Sequence, residues 1–390
     1  MRRSRPARMS EFGAACRDEF LLDPAVTVLN HGSFGATPRA VMDAAEGWRR
    51  RMEADTTGFI RRIWPSAVAA ARNAAAAFLK ADPDGVVLVD NATQGANAVL
   101  QSLAFAPGDE IAMTTHGYRA VAKTVELVCR RTGAFPRVVA LPFDGISDDA
   151  VVASVGAAIG PRTKLVIVDH ITSPTALVLP VARLVAEARR HGVPLLVDGA
   201  HAPGQVELDL GALDADFYVG NAHKWMFAGK GAAILSVAAR WRGRIHPTSI
   251  SHGLDKGLHA EFDWTGTRDV GSWLSIPDAI AFGTRYGWSR IRAHNDGLWA
   301  RAAARIAAAY GTAICGPAHM RAHLAAIRLP LDGPADEARA LTLYSALYDR
   351  HRIQAPVMAF GDRLWVRVSA QIYNDMAQYE RLAAVDWTAL

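Results

Sequence analysis

The chain has 390 residues, 51% apolar and 21% charged, a composition that excludes a disordered or fibrous protein and leaves room for one large domain and a smaller one. Its formal charge of +5 comes from Lys and Arg scattered through alanine-rich stretches, with no basic block beyond the N-terminus, so nucleic acid is not an expected partner. No run of about 18 apolar residues is present and no signal-type apolar segment follows "MRRSRPARMS", so no membrane contact and a cytoplasmic location are expected.

From about residue 66 to 237 helical runs alternate with short β-rich runs. "SAVAAARNAAAAFLK" reads as helix, "GVVLVD" as strand, and Thr93 to Leu103 as helix again. The alternation continues through "DEIAMTT", "YRAVAKTVELVCRRTG", "RVVALP", "DDAVVASVGAAIG", "KLVIVDH", "PVARLVAEARRHG", "PLLVDGA", "ADFYVGNA" and "GAAILSV". That order predicts an α/β domain with a mostly parallel sheet covered on both faces, whose ligands bind beyond the carboxyl ends of the strands. Polar residues gather at those ends: Asp90 to Thr93, Thr114 to Tyr118, Asp169 to Ser173, Asp198 to His201, and Asn221 to Lys224. After roughly residue 275 a long helical stretch through Gly311 is followed by "HLAAIRLPL", the helical "DEARALTLYSALYDRH", and the strands "IQAPVM" and "LWVRVSA". The division expected is an N-terminal segment (1–40), a large α/β domain (41–275) and a small α+β domain (276–390).

Cys16, Cys129 and Cys315 are too few and too scattered for a disulfide framework, so reduced thiols are expected. The thirteen histidines form no set with carboxylates that reads as ligand spacing on one helical face, and no metal is expected.

In "LLVDGAH" a carboxylate follows four apolar strand residues, a costly place for a lone Asp198 unless a cation or several donors hold it. Lys224 follows twenty-six residues later, at a neighbouring strand end. A buried lysine loses its proton readily and becomes the amine nucleophile of a Schiff base. Together the two residues suggest pyridoxal phosphate, with lysine on the aldehyde and carboxylate on the ring nitrogen. "NATQGAN" then offers a small-residue turn opening a helix, whose free amides and the Thr93 hydroxyl suit a phosphate. Taken singly, each feature also fits a structural role: an N-cap for Asp198, an ordinary Ser/Thr cap for Thr93, a solvated surface for Lys224.

Seven segments in order, "LNHGSFGATP", "NATQGAN", "HITSPTALVLPV", "VDGAHAPGQ", "NAHKW", "WTGTRD" and "RVSAQIYN", resemble the fold-type I pyridoxal-phosphate enzymes of aminotransferase class V, within them the isopenicillin N epimerase-like and cysteine desulfurase-like group. The resemblance implies a seven-stranded, mostly parallel sheet and pyridoxal 5'-phosphate held by Lys224. It also implies that Asp198 pairs with the ring nitrogen, His201 lies beside the phenolic oxygen, Tyr118 covers the ring, and Ser173 lies near it. Thr93, Gln94, Asn221 and His223 are implied at the phosphate, and Thr267 at the phosphate of a partner subunit in a homodimer with shared sites. Tryptophans at 264 and 273 flank that last loop and offer either interface or intradomain packing. Arg367 is implied to grip the α-carboxylate of a small-molecule amino-acid substrate, with Asn30 and His31 facing the same site. Two departures bear on substrate shape: Gly229 stands where relatives carry proline, and Ala176 where glycine is common.

The chemistry expected starts with a carbanion at Cα of an amino acid or an amino-acid-containing metabolite, with Lys224 as the base. Epimerisation is the reading favoured by the resemblance, with His31 or Tyr118 as candidates for a second acid. The alternative is β-elimination of a C–S bond, and after it a decarboxylating or transaminating variant. Persulfide chemistry is not expected, because no cysteine lies between Ile353 and Arg367. A non-catalytic regulator is disfavoured because Lys224, Asp198 and Arg367 are all intact.

Overall fold

The computed structural model describes residues 12–142 and 145–390; the basic opening lies outside them. A two-residue strand, β1 (Thr27–Val28), comes first. The central sheet follows with β2 (Val86–Val89), β3 (Glu110–Thr114), β4 (Phe135–Val139), β5 (Thr163–Asp169), β6 (Leu195–Asp198), β7 (Phe217–Asn221) and β8 (Ala233–Val237). Their spatial order is β2-β8-β7-β6-β5-β3-β4. β3 to β7 pair in parallel, and β8 is antiparallel to both of its neighbours, β7 and β2. The seven-stranded, mostly parallel sheet expected from the resemblance is therefore present.

Except at the exposed edge strand β4, both faces of the sheet are buried, which is why its strands read as near-continuous apolar runs. Side chains alternate between two cores. Val166, Val168, Leu195 and Val197 pack with the helices Asp148–Ala158 and Val181–Arg190. Leu165, Ile167 and Leu196 pack with the helices Ala92–Ser102 and Arg119–Thr132. Each fully buried Val, Leu or Ile is worth about 1.5–3 kcal/mol on an area basis, so the layers fix the strand ends firmly.

A second sheet of three antiparallel strands, in the order β11-β12-β9, is built from β9 (Leu324–Arg328), β11 (Val357–Phe360) and β12 (Arg363–Ser369). It packs with the helices Trp288–Tyr310, Glu337–His351 and Met376–Ala383. The short strand β10 (Ile353–Gln354) pairs in parallel with β1, tying the N-terminal segment to this second sheet. The long helical stretch read after residue 275 is two helices, Ile276–Tyr286 and Trp288–Tyr310, because Gly287 takes φ +82° between them. "IQAPVM" divides into β10 and β11 around Ala355–Pro356, where proline interrupts a ladder. His319 and His323 stand four residues apart, but on a connection rather than a helix face, and they meet different carboxylates, Asp148 at 3.5 Å and Asp296 at 3.1 Å. Trp273 is buried in the first core and Trp264 stacks edge-on against Trp64 at 5.0 Å. Both tryptophans thus take the intradomain alternative.

Candidate active site

The polar strand ends converge as the sheet topology requires. β5 and β6 end on Asp169 and Asp198, which are register partners on adjacent parallel strands, so their side chains leave the sheet on one face. β7 ends on Asn221, three residues before Lys224.

Asp198 is buried; one carboxylate oxygen accepts the Ala200 N–H at 3.0 Å, and the other, Oδ2, is buried with no hydrogen-bond partner among the described residues. Burial raises its pKa, against the pull of the Ala200 N–H and of Lys224. Asp169 is pushed well above the carboxylate range, first by burial and then by the charge of Asp198 beside it. Of the two, Asp169 is the one burdened by its neighbour's charge, so Asp198 is the carboxyl that ionises first. In the sequence Asp169 is only one of the polar strand ends; its partnership with Asp198 comes from the register of β5 and β6.

Lys224 Nζ lies 3.2 Å from His201 Nε2. Burial, then the Arg367 charge, bring its ammonium down to about 7. His201 is held well below its ordinary value by burial and by the Lys224 and Arg367 charges, and its Nδ1 is buried with no hydrogen-bond partner among the described residues. The ring is neutral, so Nε2 stands ready to accept a proton from, or donate one to, whatever lies between it and the amine.

Arg367, on β12, is buried and donates to the Ser173 carbonyl at 2.5 Å, to Ser173 Oγ at 3.3 Å and to Ser33 Oγ at 2.9 Å. Ser33 Oγ in turn donates to Asn30 Oδ1 at 2.6 Å. Among the described residues no ion pair engages Arg367, and burial alone brings its guanidinium down to about 10. A buried cation held only by neutral oxygens is a site prepared for a carboxylate.

At the helix Ala92–Ser102 the first amides are shared out. Ala92 N–H goes to Asn221 Oδ1 at 2.8 Å and Gln94 N–H to Asn91 Oδ1 at 2.9 Å, while Gln94 Oε1 takes the Asp90 N–H at 2.7 Å. The Thr93 N–H is left with no partner among the described residues, at the positive end of the helix dipole. Asn221 thereby positions this helix start through its Oδ1. His223 places Nδ1 3.1 Å from the Ala232 carbonyl, which fixes the proton on Nδ1, and burial followed by the Lys224 charge lowers its pKa to about 4. Gln94 thus serves the fold of this turn through its side chain.

Two expected residues sit apart from the floor of the site. His31 is buried behind Lys224, with Nε2 3.0 Å from the Lys224 carbonyl and 3.1 Å from Gln371 Nε2, and Nδ1 2.9 Å from the Tyr373 hydroxyl. Its ring holds the lysine backbone. Thr267 is exposed in its loop, and the adjacent Arg268 pairs with this chain's own Asp90 while lying 4.1 Å over the Trp273 ring, so the loop flanks the helix start. Tyr118, 43% exposed, ends the Thr114–Tyr118 turn with its backbone N–H directed to the Asp169 carboxylate. A cavity of about 780 Å³ opens above, lined by Asn30, Ser33, Tyr118, Asp169, Ser173 and Asp198 among others. Ala176 takes a positive φ of +58°, a conformation that glycine adopts more readily, and a Cβ at Gly229 would come 2.8 Å from Ser272 Oγ.

The aminotransferase class-V family matches residues 35–382, and the chain belongs to that family. It is 37% identical to an isopenicillin N epimerase of Amycolatopsis lactamdurans, over 95% of this chain and 96% of that one. It is 33% identical to the putative L-cysteine desulfhydrase 1 of Oryza sativa subsp. japonica, over 92% of this chain and 82% of that one. Among solved structures, the apo cysteine desulfurase of Thermococcus onnurineus NA1 superposes with a TM-score of 0.81 at 21% identity, covering 96% of each chain. A C-DES mutant with glycine covalently linked to the PLP cofactor gives 0.79 at 24%, covering 94% of this chain and 98% of that one. The fold is fold type I.

Proposed function

We propose that this chain is a pyridoxal-phosphate-dependent enzyme that removes the Cα proton of an α-amino acid, or of a metabolite containing one, and epimerises that centre. One observation carries the reading: a buried carboxylate oxygen without a partner, Asp198 Oδ2, and a buried guanidinium without a counter-ion, Arg367, accompany an amine brought to near neutrality, Lys224. The orphan oxygen tests the cofactor directly, because its burial cost is relieved only by a donor such as a protonated ring nitrogen. Thr93 N–H, the Asn221 NH2 group and His223 fit the phosphate, and Lys224 Nζ fits the aldehyde carbon.

Bound there, the cofactor supplies an electron sink for the charge that develops at Cα. Arg367 grips the α-carboxylate as a two-pronged donor, releasing Ser173 and Ser33. The Lys224 amine takes the Cα proton at Nζ, and neutral His201, 3.2 Å away, steadies the ammonium so formed. Asp198 keeps its negative charge against the ring nitrogen. With both His31 nitrogens engaged behind the lysine, Tyr118 is the group assigned to return a proton from the opposite side.

Incubation in deuterated water with a panel of α-amino acids and S-substituted cysteines tests the reaction. Deuterium at Cα with the β-substituent retained and both configurations recovered is the expected result; release of pyruvate and ammonia supports β-elimination instead, the second reading, favoured by the 33% identity to a desulfhydrase. Tyr118→Phe should still exchange the proton but lose inversion. The reading extends to a cytoplasmic homodimer in which Thr267 reaches the partner's phosphate, supported by the exposure of Thr267 in its loop and by three buried cysteines that form no disulfide among the described residues, which suits a reducing compartment.

A further inference from the structure

Above the reacting groups the cavity continues outward, and its outer wall is apolar. The helix Glu337–His351 contributes Leu341 and Tyr344, β11 contributes Met358 and Phe360, and Phe34 and Val138 complete the wall. Four of the nine large hydrophobic residues exposed among the described residues line this one space: Phe34 at 70%, Leu341 at 64%, Val138 at 55% and Tyr118 at 43%. Exposed apolar residues scattered singly need no explanation, but a cluster continuous with a reacting centre marks a ligand surface. An ion pair between Arg119 and Glu337 joins the helix Arg119–Thr132 to the helix Glu337–His351 at the cavity lining, so the two walls face each other across it.

Size decides what fills it. The cavity of about 780 Å³ includes the Asp169 and Asp198 floor that the proposed cofactor takes; beyond that floor and the polar Asn30, Ser33 and Ser173, the wall of Phe34, Val138, Leu341 and Met358 is left for the substrate's side chain, which a three-carbon amino acid is too short to cover. A cysteine bound there leaves the Leu341 and Met358 wall facing water. A large apolar substituent covers it, and affinity rises with each CH2 so buried.

We propose that the outer cavity is a subsite for a bulky apolar substituent, so that the substrate is an α-amino acid with a large aliphatic, aromatic or thioether side chain rather than cysteine itself. The assignment rests on the proposed pyridoxal-phosphate chemistry at Lys224. It adds a size and polarity requirement that the reacting groups do not impose, because Arg367 and Lys224 touch only the part common to all α-amino acids.

The holoenzyme is titrated with L-alanine, L-cysteine, L-norleucine, L-phenylalanine and S-benzyl-L-cysteine, reading the change in the cofactor's visible band for affinity and Cα deuterium for turnover. Affinity should rise at least tenfold from L-alanine to S-benzyl-L-cysteine. Leu341→Asp and Met358→Asp should each bring the L-alanine to S-benzyl-L-cysteine ratio back towards one. L-alanine or L-cysteine binding as tightly as the bulky compounds overturns the subsite, and so do variants that leave the ratio unaltered. A Leu341→Asp chain that sediments as a monomer, where the parent does not, also overturns it and gives the wall to a second copy. If no visible band forms, or if it survives Lys224→Ala, the cofactor reading itself fails; a normal band without size preference removes only the subsite.

Discussion

Burial and the neighbouring Arg367 guanidinium hold the Lys224 ammonium down to about 7, so the free amine, the nucleophilic form, is the majority species only above that pH. Labelling of Lys224 in the cofactor-free chain by an amine-directed reagent should therefore rise through pH 7 and level off, instead of climbing towards pH 10. Arg367→Gln removes the second of the two causes and should move the midpoint upward; Arg367→Lys keeps a cation there and should move it less. A midpoint above 9 in the parent chain would contradict the buried setting. The neighbouring carboxylates offer a sharper contrast, because the charge of Asp198 is one of the causes that raise Asp169. With the charge on Asp198, Asp198→Asn should lower turnover on the order of 100-fold or more, as removal of a preorganised electrostatic partner does, with little change in substrate affinity. Asp169→Asn exchanges one neutral acceptor for another and should leave the pH midpoint of the visible band in place. Asp169→Ala should lose the support of the Tyr118 N–H and lower kcat/KM. If Asp169→Asn shifts that midpoint by more than about one unit, the charge is shared, and the assignment to Asp198 is wrong.

The segment around His31 shows how one element serves the site without touching substrate. Gly35, at φ +71°, lies so close to the lysine loop that a Cβ would stand 2.1 Å from the His223 carbonyl oxygen and 3.0 Å from the Lys224 Cα. Gly108 also has a positive φ, +90°, with open space around it. Both Gly→Ala changes carry a positive-φ penalty, and at Gly35 the ψ of 160° puts the backbone in a region essentially restricted to glycine. Only Gly35→Ala should also displace Lys224, so it should lose the visible band where Gly108→Ala keeps it and shows merely a lower denaturant midpoint. Elements of this kind mark the limit of what sequence patterning reveals. The seven strands of the large sheet were legible because, except at β4, both faces are buried and polar residues bound each run, as in Leu195–Asp198. The reversal of β8 was not, since an apolar run such as "GAAILSV" carries no sign of direction. The break at Gly287 was hidden within an alanine-rich run whose periodicity continues on either side, and the φ +82° that separates the helices is set by packing.

Across the whole molecule, Lys224, Asp198 and Arg367 were legible because each is a charged residue at the end of, or within, an apolar strand, where burial demands a reason. Their supports, Ser33 on Arg367 and Gln371 and Tyr373 on His31, were not, because such partners are joined only by tertiary folding across 334 to 342 residues. The proposed assembly is open to a complementation test. Thr267→Ala should weaken cofactor retention, and a mixture of Lys224→Ala and Thr267→Ala chains should recover one complete site per heterodimer. If the mixture recovers nothing, Thr267 serves its own chain, beside the Arg268–Asp90 pair.

The pairing of β1 with β10, together with the hold of Gln371 and Tyr373 on His31, has a consequence for biosynthesis. The stretch that steadies the lysine loop leaves the ribosome early, but its anchors are translated more than 300 residues later, with the large sheet made in between. Long-range contacts of this sort close slowly. A nascent chain halted before Ile353 should thus carry a formed central sheet and an unsteadied Lys224, and should capture cofactor only once translation has passed Tyr373.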